Sequence, residues 1–429
     1  MLLVYTHKIT PRVSYIFKHI FENMLELAVS FTSSIEVFVA HSGPKMSYTT
    51  KALGDEFFVA SHSILFERGI FHHEPSVQDW EGTPAFFKTT NENTVPYDIF
   101  ASSFYLLSRY EELTPHIKTD TGLFDPAESL AAQQGFLELP LVDIWALKLH
   151  EIMSEHFEEI ESYRLKKPQK EILIDVPLAF KYRNRSVLVV VETFLKSIWS
   201  FDLLKIINQL AVLFRLEDDP YDSFSFWDKW FENSSITPKV FFLYANSSAY
   251  ESNVSTFNRR LQLRIKKVSD DYSLGLLLSV ESQLKSEIGL ESEKKDFQRL
   301  THRQVKMSRI PISFRQLSEV YADLVDFEFS EDYSMGYSDQ IGFRASTATP
   351  FYFYDLTNEF QLPLKIHPVV AKETAFCRLK NYKVFDQLEK IYKNLPLSCN
   401  RLTLAISNGF LHSKKQHLPL QKAFKDYIK

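Results

Sequence analysis

Glycine is scarce in this sequence, with 11 in 429 residues. That leaves little material for the glycine-rich loops that cradle phosphates in nucleotide-binding folds. Cysteine is scarcer still. Cys377 and Cys399 are the only two; they lack metal-ligand spacing, imply no disulfide framework in a chain of this length, and read as small buried residues. An excess of one charge is also missing, since 49 Lys and Arg stand against 54 Asp and Glu for a net charge of −5. That balance excludes the concentrated basic face of a nucleic-acid binder. The sequence contains no run of about 18 apolar residues, the length a membrane-spanning helix needs. The opening MLLVYTHKITPRVSYIF is interrupted by His7, Lys8 and Arg12 and lacks the order of regions of a secretory signal. A cytoplasmic protein is the resulting expectation.

What the chain does have is apolar and aromatic material. Hydrophobic residues make up 45% and aromatics 14%, with 37 Phe and 20 Tyr. That is ample for a large core, and the length suggests two domains at roughly 100–200 residues each. Leu2 to Tyr5 reads as a short strand. Thr10-Pro11 supplies an N-cap and first-turn proline for a helix through Leu25. Ser34 to Ala40 alternates like a half-buried strand. Pro96 to Glu112 has helical spacing, with Arg109, Glu111 and Glu112 in its final turn, and Val142 to Phe157 forms a second amphipathic helix. The basic stretch RLKKPQK then breaks the pattern and places a domain boundary near residue 165.

Beyond that point strands and helices alternate. Strands are expected at Glu171–Val176, Lys239–Leu243, Ser273–Ser279, Val305–Arg309, Val325–Phe329 and Arg401–Ile406. Helical patterns such as Val190–Leu213 and Phe314–Leu324 lie between them. Such alternation favours a parallel sheet, open or closed into a barrel. In a barrel of this kind chemistry is mounted at the carboxyl ends of strands. Those positions offer Asp175, Ser308-Arg309-Ile310-Pro311 and Ser407-Asn408, and no histidine.

The stretches ITPRVSYIF, VPYDIFASSFYLLSRYEE, GFLELPLVDIWAL and above all SEDYSMGYSDQIGFRASTATPFYFYDL resemble a branch of the polysaccharide deacetylases. That branch is found with bacterial surface-polysaccharide genes and carries an extra N-terminal domain. The resemblance implies an N-terminal α/β domain over residues 1–165 and a deacetylase-like (β/α) barrel over 166–429. Active members place an Asp-x-Asp pair on the first barrel strand, histidine ligands near the third and fourth strands, and a catalytic histidine near the C-terminus. Here the matching positions hold Leu173 and Asp175, Leu277, Pro311 and Ser407. Leucine has no lone pair to donate, and a catalytic zinc typically needs three protein ligands and an open position. The family metal is therefore expected to be lost, leaving no cofactor.

Each residue also has a plainer reading. Asp175 at a strand end can cap a helix or partner an arginine. Arg309, Asp332 and Arg344 can pair inside the barrel mouth and set geometry, as buried ion pairs often do. Tyr333, Tyr337 and Phe351 to Tyr354 can stack on sugars or fill the core. His72-His73-Glu74 has the residue types of a metal site, but an adjacent pair in a turn-like stretch reads as solvated. The leading expectation is a non-catalytic deacetylase-like protein that binds a carbohydrate or sugar phosphate, or scaffolds a protein partner, through Asp175, Arg309, Asp332, Arg344 and Glu373. The alternative is an active carbohydrate de-N-acetylase or other hydrolase with a rearranged site among those residues.

Overall fold

The computed structural model describes residues 1–89, 94–119, 124–161, 167–201, 203–284, 286–310, 313–379, 383–396, 400–412 and 418–429. Pro311, Cys399 and the expected boundary at 162–166 lie outside the described residues, as does the side chain of Cys377.

In the first half, β1 (Leu2–Tyr5), β2 (Val29–Thr32), β3 (Lys45–Thr49) and β4 (Phe57–Ala60) form a parallel sheet in the order β2-β1-β3-β4. Thr10 does cap the first helix, its hydroxyl accepting from the Val13 N–H at 3.1 Å, and Pro11 opens the helical run that continues to Met24. The Ser34–Ala40 stretch is a helix, Ile35–Ala40, and not a strand. Ser34 accepts from the Val37 N–H and holds the turn, so local capping overrides the alternating pattern. β5 (Gln78–Trp80) and β6 (Thr83–Ala85) make a small antiparallel hairpin.

The 96–112 pattern is also not one helix. It runs from Ile99 to Leu107, breaks at Arg109, whose φ is 54°, and resumes for one turn at Tyr110–Leu113. A non-glycine residue in the left-handed region costs on the order of 1 kcal/mol or more and persists only where its surroundings over-determine it. Arg109 is such a case, as its side-chain bonds show below.

The second half contributes β7 (Gln169–Val176), β8 (Lys239–Leu243), β9 (Ser273–Leu277), β10 (Met307–Arg309), β11 (Glu331–Asp332), β12 (Phe351–Asp355), β13 (Phe360–Ile366), β14 (Ala371–Lys372) and β15 (Arg401–Ser407). They form a single sheet in the order β12-β13-β11-β10-β9-β8-β7-β15-β14, parallel except for the β12–β13 pair. The expected strand at Val325–Phe329 is instead the end of the helix Leu317–Asp326 and the turn after it, and the strand follows at Glu331. Val190–Leu213 divides into two helices, Val187–Trp199 and Leu203–Leu213.

β13 and β14 are separated by only four residues, 367–370. β13 pairs with β11, and β14 pairs with β15. Between them the His367 N–H donates to Asp332 O at 2.8 Å, the Val369 N–H to Met335 O at 2.7 Å and the Val370 N–H to Thr403 O at 2.9 Å. Gly336 is required at this crossing, because a Cβ there would lie 2.3 Å from the Val369 carbonyl oxygen.

Side chains alternate across a strand, and one face of the curved sheet is filled by a small apolar cluster of Leu173, Phe241, Leu277, Tyr333, Val369 and Ala405. The larger core is continuous from the N-terminal sheet to the outer face of the second. Buried polar bonds join the halves as well: Asp143 accepts from the Ala348 N–H at 3.0 Å and from Thr349 and Asn400, and the Phe343 N–H donates to Leu137 O at 2.8 Å.

Candidate functional site

β7 ends at Val176 with Asp175 in register with Ser407 of β15 and Phe241 of β8. Two strands beyond β8, Arg309 ends β10 fully buried. Its Nε lies 2.7 and 2.9 Å from the two oxygens of Asp175, and its Nη1 donates to Tyr333 O. A buried guanidinium requires a counter-charge, and Asp175 supplies it. Arg309 Nη2 is buried and, among the described residues, has no hydrogen-bond partner.

The other sequence-nominated residues have separate partners. Asp332 is fully buried and accepts from Ser308 Oγ at 3.0 Å, Ser334 Oγ at 2.7 Å and the Ser334 N–H at 2.8 Å. It braces the end of β11 instead of facing Arg309, and burial raises its pKa despite those serine donors. Arg344 is not paired with Asp332 either. Its Nε and Nη2 contact the two oxygens of Glu112 at 2.8 and 2.7 Å. Glu373 accepts the Ser407 N–H at 2.7 Å and ties the segment after β14 to β15. The expected pairing of Arg309, Asp332 and Arg344 among themselves is thus replaced by three distinct clamps. The missing information was non-local, since Glu112 lies 232 positions from Arg344.

Glu112 joins two cations. Arg109 Nε contacts it at 2.7 Å, Arg109 Nη2 contacts Glu111 at 2.6 Å, and Arg109 Nη1 donates to Arg344 O. Burial alone would raise the Glu112 pKa, but Arg344 and Arg109 outweigh it and hold the value at about 2. Lys372, at the end of β14, is pushed the other way. Burial and the repulsion of Arg309 bring its pKa down to about 7, against the attraction of Asp175.

Leu173 and Leu277 sit inside the apolar cluster, 0% and 1% exposed. Ser407-Asn408 acts as a bracket: the Asn408 N–H donates to Asp175 O at 2.9 Å, and its Nδ2 donates to Leu178 O and Tyr221 O at 2.9 and 2.7 Å. Among the described residues no group of three or more His, Cys, Asp or Glu is arranged to hold a metal ion. His72 is exposed and bonded to Glu74 at 3.0 Å, whereas His73 is largely buried against Glu67 at 2.9 Å. The aromatic block is mostly core: Tyr333, Phe351 and Tyr354 are no more than 1% exposed, so they cannot offer a face to a sugar.

At the opposite end of the strands lies a polar layer that the sequence did not announce. Lys239 bridges Glu171 and the Tyr333 hydroxyl, the latter at 2.6 Å. Tyr333 donates to Glu331 at 2.7 Å, and His367 lies 3.1 Å from the same carboxylate. His367 and Tyr333 hold the Glu331 pKa at about 2.

A cavity of about 620 Å³ opens where the two halves meet. Its walls come from residues within 108–119 and 124–126 on one side and from 310, 313–319, 334–344 and Lys372 on the other. Arg109, Lys118, Arg315, Arg344 and Lys372 line it against three carboxylates, Glu112, Glu319 and Asp339, with seven hydroxyls between them. Tyr337 and Phe353 are its aromatic lining beside Phe124 and Phe314. This volume lies within the range of small-molecule clefts, roughly 300–1,000 Å³.

Comparison with known proteins adds the following. Residues 2–158 match the model of a family of unknown function, DUF7033. No curated protein matches this sequence. Among solved structures, the chain is similar to a protein assigned as a polysaccharide deacetylase from Mycobacterium smegmatis, at 9% identity and a TM-score of 0.36 over 61% of this chain and 87% of that one. It is also similar to a mutant of BA3943, a CE4-family pseudoenzyme with restored enzymatic activity, at 10% identity and a TM-score of 0.31 over 62% of each chain. A 4-alpha-glucanotransferase from Thermococcus litoralis matches at 12% identity and a TM-score of 0.32, over 61% of this chain and 37% of that one. The chain is a mixed α/β protein with parallel sheets.

Proposed function

We propose that this chain is a non-catalytic, deacetylase-like binding protein whose cleft between the two halves takes a carbohydrate bearing a carboxylate or phosphate. The carrying observation is the state of Asp175. Both of its oxygens lie within 2.9 Å of Arg309 Nε, which ties up the one carboxylate left at the expected metal position. With Leu173 and Leu277 packed in the apolar cluster, the residues at the expected metal positions do not fit a divalent ion. The cleft instead supports anion binding. Five basic side chains line it against three carboxylates, and an excess of positive charge in a cleft attracts an anionic group.

The same reading includes a barrel. Hydrogen bonds on both flanks of 367–370, with β13 on β11 and β14 on β15, support treating 360–372 as one bent strand. That strand would close a seven-stranded ring of β7, β8, β9, β10, β11, 360–372 and β15.

Equilibrium binding to a panel of acidic, phosphorylated and neutral oligosaccharides tests the function. Acidic or phosphorylated members should bind, and Arg344→Ala should weaken them by about 1–3 kcal/mol, the scale of hydrogen bonds to charged groups. Release of acetate from N-acetylated oligosaccharides by the wild type, abolished in Asp175→Ala, would establish the hydrolase reading in its place.

A further inference from the structure

The helices Val187–Trp199 and Leu203–Leu213 form a hairpin after β7. Their mutual face is packed: Gln209 is fully buried with its Nε2 donating to Val190 O at 3.0 Å, and Ser197 and Val212 are buried as well. Their outer face is bare. Val191, Leu195 and Ile198 on the first helix are 47%, 59% and 46% exposed. Leu203, Ile207 and Leu210 on the second, with Phe214 just beyond it, are 70%, 61%, 37% and 73% exposed. For a side chain that contributes nothing to polarity or bonding, such exposure is costly, since burial of apolar surface is worth roughly 25 cal/mol per Å².

Spacing on this face suits a helical partner. Steps of four and three residues on the first helix, and of four, three and four on the second, are those of a helix that seats a seam of knobs against another helix. Two such seams side by side make half of a four-helix bundle. We propose that this face is a homodimer interface, in which the hairpins of two copies pack across a two-fold axis. A two-fold places one patch against itself, so a surface carrying two equivalent apolar seams is complementary to its own copy.

The area agrees. At roughly 100 Å² of exposed surface for each half-exposed large side chain, the seams with Trp199, Phe201 and Leu204 amount to on the order of 1,000 Å². The largest apolar patch on a typical monomer is about 300–600 Å², and a stable interface uses about 800 Å² per partner. Trp199 and Phe201, 87% and 89% exposed at the turn, are also residues that enter lipid. The flanking charge does not suit an anionic membrane, which selects a face rich in Lys and Arg. Here the cations are only Lys196, Lys205 and Arg215, and Glu192 pairs with the first at 2.5 Å.

The test uses the full chain without detergent. Sedimentation velocity at micromolar concentration should give twice the 50.1 kDa chain mass. Leu195→Glu combined with Ile207→Glu should raise the dimer dissociation constant at least a hundredfold and return the monomer, with the far-UV circular dichroism spectrum retained. Leu263→Glu, on the separate helix Arg259–Asp271 and 56% exposed, should leave the dimer intact. A monomer at every concentration would overturn the proposal. So would a dimer indifferent to the Leu195 and Ile207 changes, or a monomeric wild type that floats with phosphatidylcholine–phosphatidylserine vesicles through this hairpin.

Discussion

Removing the Glu112 carboxylate takes a partner from two cations at once. Glu112→Ala would leave Arg109, 3% exposed, with Glu111 as its remaining carboxylate partner at 2.6 Å. It would also remove both of Arg344's contacts to Glu112, at 2.8 and 2.7 Å. Breaking a buried ion pair by deleting one partner costs about 3–5 kcal/mol, because the remaining charge is left desolvated. Proton linkage gives a similar figure. A shift from 4.5 to about 2 corresponds to about 3 kcal/mol at 1.36 kcal/mol per unit. The sign follows from the folded pKa lying below the unfolded one. This stabilisation is full above pH 4.5 and is lost as pH falls toward 2. Urea unfolding of wild type and Glu112→Ala at neutral pH, repeated down to about pH 3, would measure it. The left-handed backbone at Arg109 should also relax, because Arg109's bond to Glu112 helps hold it. A loss below about 1 kcal/mol, the range of exposed ion pairs, or a difference that does not shrink toward acid pH, would refute the reasoning.

Two further outcomes follow from the same geometry. Lys372 carries its charge below about pH 7, so affinity of the cleft for an anionic ligand should fall as pH rises from 6 to 8; isothermal titration should show that Lys372→Met flattens this dependence. We also propose a division of the chain near residue 165. Limited proteolysis should cut first within 161–171, and the two fragments should stay associated on gel filtration because one apolar core runs through both halves.

Much of the element order was legible in the sequence because local rules decide it. Val240–Leu243 is a run of four apolar residues after Lys239, and Lys239–Leu243 forms a strand with those bounds. Thr10-Pro11 marks a helix start, and the first helix starts there. Where local rules compete, the reading failed. The IEVFVA stretch alternates like a strand, but a Ser34 cap and the exposure of Ile35, Val37 and Val39 make it a surface helix. The Val190–Leu213 pattern continued through a turn that only the packing of Gln209 against Val190 reveals.

The sequence by itself determined the parallel α/β class and the place of Asp175 near the end of the first strand of the second sheet, but not His367, which follows β13 directly. These depend on residue types and on short-range periodicity. Which side chains meet was decided only by the tertiary structure. Arg309 reaches Asp175 across 134 positions, Arg344 reaches Glu112 across 232, and Asp332 turns to its serines instead of to either arginine. Lys372 acquired its lowered pKa from burial beside Arg309. No local pattern encodes such pairings, because a buried charge is matched to whichever opposite charge the folded sheet brings within a hydrogen bond of it.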